Sequence, residues 1–247
     1  MNRNSFHHWL FLSIFPGLLF FVPSGCKSYK REKSATTNST ASPSRESRQD
    51  QVRDVDGNVY RAVSIGKQVW LGENLRVKHF QNGEPIPNIM PKPQWRSLKS
   101  AALCHLDNDS SNTVISGCLY NWYAAEDKRN ICPKGWHVPS DEEWFQLTGF
   151  LGGEVVAGGK LKEQGTVHWS APNTGATNET GFSALPVGYR SNTGSYYWLD
   201  TYSFYWTSTS YSESFAFCRF LQNDSEELNR IENSNTFGFS VRCIKND

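Results

Sequence analysis

The sequence predicts an α+β domain in which short strands outnumber helices, and three observations carry this prediction. Apolar and polar residues alternate near both ends of residues 51–247, with the period of two that is typical of strands. A capping box at Ser140 marks the start of a helix. Long intervening segments are rich in Gly, Pro, Asn and Ser, the composition of turns and loops.

The first 25 residues are typical of a bacterial lipoprotein signal peptide. Arg3 supplies a positive charge, and the 13 residues 10–22 are almost wholly apolar, too short to span a bilayer but typical of a signal-peptide core. Residues 23–26, PSGC, then resemble a lipobox, although Pro23 stands where Leu is usual. The alternative is an ordinary cleaved signal peptide followed by an unrelated cysteine.

Cleavage before Cys26 would leave a lipid-bearing residue at the start of the mature protein. The lipid bilayer is then a partner of the protein through Cys26, and we expect a location at the outer membrane or cell surface. Residues 26–50 contain one aromatic residue and no Leu, Ile, Val or Phe. Such a segment buries too little apolar surface to fold, so it is predicted to be a disordered tether before the domain at residues 51–247.

The overall composition argues against nucleic acid as a partner and is compatible with an aromatic recognition surface. The chain of 247 residues has a net charge of +1, so it lacks the basic footprint of a nucleic-acid-binding protein. Aromatic residues make up 14% of it, including nine Trp and ten Tyr. These side chains bury large areas in a core, and they also suit exposed recognition surfaces.

Residues 54–71 predict consecutive short strands joined by tight turns. The turn DGN at residues 56–58 precedes an alternating run over residues 59–65, and GK at residues 66–67 precedes the next apolar run. The acids of this first turn also have the spacing of half a calcium loop. An EF-hand loop needs a later bidentate Glu and two flanking helices, so we prefer the hairpin turn.

The stretch ICPKGWHVPSDEEW, residues 131–144, contains a cysteine, a histidine and three acids between two tryptophans. Ser140 and Glu143 have the spacing of a capping box, and the other two acids suit the positive end of a helix dipole. A Trp and Leu stripe follows at residues 144, 147 and 151, and two glycines then end the helix. Earlier, LYNWYAAE at residues 119–126 predicts a short helix by its aromatic spacing.

Cys132 and His137 are the two reactive residues in this stretch that the helix does not explain. A nucleophilic cysteine needs a partner base that is held by a third group, and the sequence marks out no such group. Cysteines of exported proteins are more often paired in disulfides. We therefore interpret the stretch as a helix entry rather than an active site.

Two strands are predicted near the C-terminus, at residues 214–221 and 237–243. In the second strand, Phe237, Phe239, Val241 and Cys243 share one face. We expect this face to point into the core and Arg242 to lie on the opposite side.

The ordered region resembles the Fibrobacter succinogenes major paralogous domain, found on secreted and surface proteins. The resemblance runs in order over residues 54–245 and is carried by these segments: DVDGNVYRAVSIGKQVWLGENLR, LYNWYAA, ICPKGWHVPSDEEW, GGKLKEQGTVHW, PNTGATNETGFSALPVGYR, WTSTS and GFSVRC. It implies a C-type-lectin-like fold, a group that includes formylglycine-generating enzymes. Such a fold has twisted antiparallel sheets, two helices, long loops, and N- and C-terminal strands close together.

The resemblance also implies a disulfide, because Cys132 and Cys243 fall at cysteine positions of the family. With Cys26 lipidated, Cys104, Cys118 and Cys218 remain, and their odd number leaves at least one thiol unpaired or intermolecular. Pairing of Cys104 with Cys118, or of Cys118 with Cys218, stays open.

The sequence favours a tethered module that binds a carbohydrate or a protein through aromatic loops. We take Tyr196, Tyr197, Trp198 and Tyr202 as the candidate ligand-binding residues, and partly buried loop anchors as their alternative role. No catalytic residue, metal site or cofactor is assigned. The acidic stretch at residues 107–109 offers oxygen ligands for calcium, but we prefer a solvated turn.

Two other functional readings stay open. One is a catalyst like the formylglycine-generating enzymes, which need two cysteines together in a cleft; only Cys218 is a candidate for such a place. The other is a purely structural surface protein.

Overall fold

The computed structural model describes residues 51–247, a region in which short strands outnumber helices. The signal peptide, the lipidation site Cys26 and the tether predicted over residues 1–50 lie outside the described residues. The α+β prediction is confirmed, since helices and antiparallel sheets occur together.

The described region has twelve strands and five α-helices. The strands are β1 Gln51–Arg53, β2 Val59–Ile65, β3 Gln68–Leu71, β4 Leu103–Cys104, β5 Leu119–Tyr120, β6 Trp136–His137, β7 Tyr189–Arg190, β8 Tyr196–Tyr197, β9 Tyr202–Ser210, β10 Phe215–Gln222, β11 Asn229–Ser234 and β12 Ile244–Lys245. The helices are α1 Lys92–Arg96, α2 Thr113–Ser116, α3 Trp122–Ala125, α4 Asp141–Phe150 and α5 Glu154–Leu161.

Two sheets organise the domain, and the paired strands in both are antiparallel. The larger has five strands in the order β1-β2-β3-β12-β6, and the smaller has three in the order β11-β10-β9. The last strand, β12, therefore lies beside β3, in the same sheet as the first strand β1. Two further strand pairs, β4-β5 and β7-β8, form separate two-stranded sheets.

The turn between β1 and β2 is held by the carboxylate of Asp54. It accepts hydrogen bonds from the backbone amides of Asp56 at 3.0 Å and Asn58 at 2.9 Å. Its second oxygen accepts from the side-chain amide of Asn58 and, at 2.7 Å, from the hydroxyl of Tyr60. The hairpin turn predicted here is confirmed, and both carboxylate oxygens of Asp54 are engaged by residues 56–60.

The predicted capping box at the start of α4 is also confirmed. The hydroxyl of Ser140 accepts from the amide of Glu143 at 3.2 Å, and the carboxylate of Glu143 accepts from the amide of Ser140 at 2.7 Å. These two bonds satisfy backbone donors that a helix start would otherwise leave unpaired. The acids of this stretch therefore build the start of a helix.

The expectation of two helices is wrong, because the described residues form five. Three of them have only four or five residues, while α4 has ten and α5 has eight. The second half of α5 contains Gly158 and Gly159, a composition that is typical of a loop. Tertiary packing needs both glycines: a Cβ atom at Gly158 would lie 2.2 Å from the carbonyl oxygen of Glu227, and one at Gly159 would lie 2.4 Å from that of Gly175.

The helix predicted over residues 119–126 is correct only in its second half. Leu119 and Tyr120 form strand β5, and helix α3 begins after Asn121. The side chain of Asn121 accepts from the amide of Ala124 at 3.1 Å, as an N-cap residue does, and also from Ala102 at 2.9 Å. This cap fixes where the helix starts.

The strand predicted over residues 237–243 is an extended segment without a continuous ladder. Its residues form single bridges to three different elements: Gly238 with β7, Phe239 with β5 and Ser240 with β9. Regular pairing begins only in β12, because the segment passes between elements instead of along one strand. The predicted core face is buried in the main apolar cluster at Phe239 and Cys243, but Ser240 and Arg242 on the opposite side are buried as well.

Helix α4 is fixed to the sheets by Trp144, which is fully buried. The centre of its indole ring lies 4.8 Å from that of Trp70 on β3, 5.9 Å from Phe182 and 5.7 Å from Tyr205 on β9. One side chain therefore links the helix to both sheets.

Replacing Trp144 by Ala should lower the free energy of unfolding by about 3–5 kcal/mol, because it opens a large cavity among these rings. His137→Ala is the control. The side chain of His137 is 38% exposed and bonds to Glu143 and Asn246, so its loss should cost less than about 1 kcal/mol. Urea denaturation followed by tryptophan fluorescence measures both. Equal stability of the two variants would contradict the central position of Trp144.

Candidate ligand-binding site

One face of the smaller sheet forms the floor of a groove. Residues directly opposite each other in an antiparallel pair share a face, and the register places Phe220 opposite Phe204 and Gln222 opposite Tyr202. On the neighbouring strand, Ile231 lies opposite Cys218, two positions before Phe220 and therefore on the same face. The β9-β10 hairpin thus brings three aromatic rings together at one end of the sheet.

The extended segment before β12 forms one wall of the groove. The ring of Phe239 stacks on Phe204 with centres 4.9 Å apart, and Phe237 lies beside it. Tyr189 on β7 completes this wall: its ring stacks on Phe237 at 5.5 Å and meets the face of Phe204 edge-on at 5.1 Å. The wall is therefore built from rings that hold each other in place.

Trp198 forms the outer edge of the groove, where its ring also meets that of Tyr189 at 5.5 Å. Its indole stacks on Tyr202 with centres 4.4 Å apart and an interplanar angle of 29°, and 51% of the residue is exposed. Its backbone is left-handed, with φ at 57°, a conformation that non-glycine residues rarely adopt. Strained residues cluster at functional sites, so an exposed Trp in this conformation marks the groove as a candidate site.

The loop that carries Trp198 is held tightly against the sheet. The amide of Tyr202 donates to the carbonyl of Trp198 at 3.1 Å, and the amide of Gly188 donates to the carbonyl of Tyr202 at 2.8 Å. A Cβ atom at Gly188 would lie 2.2 Å from the carbonyl oxygen of Tyr197. The indole is thus presented by backbone contacts that only a glycine permits.

The groove is apolar with two amide side chains, and its volume is about 370 Å³. Its lining residues are Tyr189, Trp198, Tyr202, Phe204, Phe220, Gln222, Ile231, Asn233, Phe237 and Phe239. None of them carries a charge. Asn233 donates to the sulfur of Cys218 at 3.3 Å, whereas its oxygen and the whole amide of Gln222 have no hydrogen-bond partner within residues 51–247. The groove therefore offers aromatic faces and unused amide groups to a ligand.

The four residues predicted to bind a ligand lie in two places. Trp198 and Tyr202 both line the groove. Tyr197 lies just behind it, 45% exposed, with its ring 5.7 Å from that of Tyr189. Tyr196 points the other way, where its hydroxyl lies 2.8 Å from the carbonyl oxygen of His105, so it acts as a loop anchor.

Two side-chain oxygens of the turn at residues 107–109 are engaged within the protein. Asp109 accepts from the amide of Ser111 at 2.9 Å, and the side-chain oxygen of Asn108 lies 2.9 Å from the hydroxyl of Tyr196. Asp107 and Asn108 both have left-handed backbones. Within residues 51–247, no group of three His, Cys, Asp or Glu side chains is placed to hold a metal ion.

Cys132 is joined to Cys243 by a disulfide, with the two Cα atoms 5.9 Å apart. Cys132 is therefore no thiol nucleophile. His137 bonds through Nε2 to Glu143 at 2.8 Å and through Nδ1 to Asn246 at 2.7 Å, which ties the start of α4 to the C-terminal end of the chain. The stretch at residues 131–144 is a helix entry joined to the last strand.

Among the cysteines of residues 51–247, Cys104, Cys118 and Cys218 are unpaired and buried, so neither of the two further disulfides considered above is formed. Burial raises the pKa of the Cys118 and Cys218 thiols to about 12, and it also raises the pKa of Cys104. These thiols are held in their neutral form.

Most of the groove could not be identified from the sequence. The alternation in β10 indicates that Phe220 and Gln222 share a face, and the same pattern joins Phe237 to Phe239. No local pattern indicates which end of a sheet face stays uncovered. No local pattern predicts that Tyr189 and Asn233 line the groove, because their positions depend on the packing of strands that are distant in sequence.

The described region is an α+β domain in which antiparallel sheets carry an aromatic groove. Its sequence matches the model of the Fibrobacter succinogenes major domain over residues 63–245, and the chain belongs to this family. Neither a search of curated proteins nor one of solved structures finds a match.

We expect the thiols of Cys104, Cys118 and Cys218 to resist iodoacetamide at pH 8 in the folded protein, because they are buried and neutral. In urea without reductant all three should become alkylated, whereas Cys132 and Cys243 should react only after reduction. Peptide mapping by mass spectrometry measures this. Alkylation of Cys132 without reductant would contradict the disulfide.

Proposed function

We propose that the protein is a lipid-anchored module of the outer membrane or cell surface that binds neutral carbohydrate in the aromatic groove. The observation that carries this proposal is the half-exposed Trp198, stacked on Tyr202 and held in a left-handed conformation at the groove edge. We also propose that the fold is C-type-lectin-like. The shared sheet of β3 and β12 supports it.

The chemistry of the lining favours a sugar over other ligands. The apolar face of a pyranose ring packs on aromatic rings, and its hydroxyls both donate and accept hydrogen bonds. Gln222 offers two donors and an acceptor, and Asn233 offers an acceptor, close to those rings. Because no lining residue is charged, a charged ligand would lose hydration in the groove without gaining an ion pair.

A protein ligand fits these features less well. The groove of about 370 Å³ would accept one or two side chains, and a specific protein interface normally buries a far larger surface. The formylglycine-type catalyst needs a second cysteine beside Cys218, and the neighbour of its sulfur is Asn233. The groove thus favours binding of a small, neutral, hydroxyl-rich ligand.

The proposed anchor is Cys26, and a lipid on this residue is compatible with the folded region. No helix within residues 51–247 is long and apolar enough to cross a membrane. The predicted tether of residues 26–50 would let the domain reach ligands away from the bilayer.

Cys26→Ala should move the protein from the membrane fraction to the soluble fraction, because the variant cannot carry the lipid. Fractionation with immunoblotting and mass spectrometry of the mature N-terminus measure this. Retention of the variant in the membrane, or a mature protein that starts at another residue, would contradict lipidation at Cys26.

Binding should appear as slower migration of the protein in gels that contain neutral glucans, mannans, xylans or galactans. Trp198→Ala and Tyr202→Ala should each weaken it about tenfold, the effect of losing one stacked ring. Tyr211→Ala is the matched control, because Tyr211 is 58% exposed but does not line the groove.

Unchanged migration of the wild-type protein in every neutral polysaccharide would contradict the proposal. So would an equal loss of binding in the Tyr211 variant. Retardation only in gels with anionic polysaccharides would also contradict it, since the groove has no cation to pair with them.

A further inference from the structure

A second cavity, of about 280 Å³, lies on the other side of the loop that carries Trp198. Its walls are partly apolar, with Leu185, Val187 and Leu199, and partly polar, with Asn112, His168 and Asp200. The family match and the groove assign no role to it. Its polar groups differ from those of the groove, because two of them are ionisable.

His168 is oriented by a neighbouring carboxylate. Its Nδ1 atom lies 3.1 and 2.8 Å from the two oxygens of Glu163, so this nitrogen carries the proton and donates it. The Nε2 atom is then an acceptor when the ring is neutral, and it has no hydrogen-bond partner within residues 51–247. The side chain is 38% exposed, so this acceptor is accessible to a ligand.

Asp200 is presented by a rigid backbone. Its amide donates to the carbonyl of Pro186 at 2.9 Å, and its own carbonyl accepts from the amide of Ser170 at 2.7 Å. Its φ angle is 61°, the second left-handed residue in this loop after Trp198. The carboxylate itself has no hydrogen-bond partner among the described residues. An exposed, pre-positioned carboxylate accepts from two hydroxyls at once.

The two cavities share this loop as a wall. Trp198 lines the groove, while the next two residues, Leu199 and Asp200, line the second cavity. Consecutive Cα atoms are about 3.8 Å apart, so the cavities are separated by the width of a single chain segment. A ligand that projects past Trp198 would therefore meet Asp200.

We propose that the second cavity is a further subsite for the same glycan chain, so that the protein binds a run of several sugar units and not a single terminal sugar. This inference rests on the proposed function of the groove. One unit stacks in the groove, the chain crosses the loop, and a later unit donates hydroxyl protons to His168 and Asp200. The apolar wall at Leu185 packs against the carbon face of that unit.

The charge of Asp200 restricts the chain further. A uronic acid beside this carboxylate would be repelled, and the groove supplies no cation to compensate. We therefore expect the run to be neutral throughout.

The test measures affinity against chain length by titration calorimetry, with neutral oligosaccharides of one to six units cut from the best polysaccharide ligand. We expect the affinity of the wild-type protein to rise with length and then to level off. Trp198→Ala should weaken binding at every length.

Asp200→Asn and His168→Ala should weaken binding of the long chains about fivefold and leave the shortest ligand unaffected. Asparagine tolerates the left-handed backbone, so Asp200→Asn removes the charge without forcing the loop to change. Asp224→Asn is the matched control: it removes an exposed acid on the turn between β10 and β11, which lines neither cavity.

The outcomes separate the two proposals. Affinity that is independent of chain length, with binding still weakened in Trp198→Ala, overturns the second subsite and leaves the groove intact. Affinity that rises with length but is unchanged by Asp200→Asn and His168→Ala also overturns it, because the glycan chain then contacts another part of the surface. Failure of the wild-type protein to bind any neutral glycan overturns the groove itself.

Discussion

The structure depends on the guanidinium of Arg242, which is buried where the two sheets meet. Its Nε atom donates to the side-chain oxygen of Asn74 at 2.7 Å, and its two terminal nitrogens donate to backbone carbonyls of Leu71, Phe182 and Ser183. No carboxylate is among these acceptors. Burial lowers the pKa of the guanidinium, but carbonyl dipoles and an amide keep the charge hydrogen-bonded. Because losing any acceptor would leave a buried charge unsatisfied, the group fixes the C-terminal segment against two separate parts of the chain, residues 71–74 and 182–183.

The groove follows from that fixed segment. The residue after Arg242 is Cys243, whose disulfide to Cys132 ties the segment to the entry of helix α4. The residues before it place Phe239 and Phe237 against the end of the smaller sheet, where they form the groove wall. A recognition surface on regular elements and cross-linked backbone is more precise than one on a free loop. The outer edge at Trp198 stands on a loop, and hydrogen bonds to neighbouring backbone hold that loop.

Local chemistry made several features predictable from sequence. A capping box needs only Ser140 and Glu143 at the right spacing, and the turn at Asp54 needs only nearby donors. Alternation placed Cys243 on the core side of its segment, and the family resemblance supplied its partner. Helix α5 is not predictable from propensity alone, because Gly158 and Gly159 argue against a helix. Both positions need glycine because two other backbone segments approach them closely, and the local sequence does not indicate this approach.

The sequence by itself determined the α+β class, the start of helix α4, the first hairpin and the wealth of aromatic residues from which a binding surface is made. Only the tertiary structure decided which of those residues form the groove. Tyr196 and Trp198 are two positions apart in the same polar-aromatic run. The hydroxyl of Tyr196 anchors a loop, whereas the ring of Trp198 forms the edge of the groove. The difference arises because Trp198 adopts a left-handed backbone that turns the chain. Burial depends on what distant strands bring to each side chain, and spacing along the chain carries no information about them.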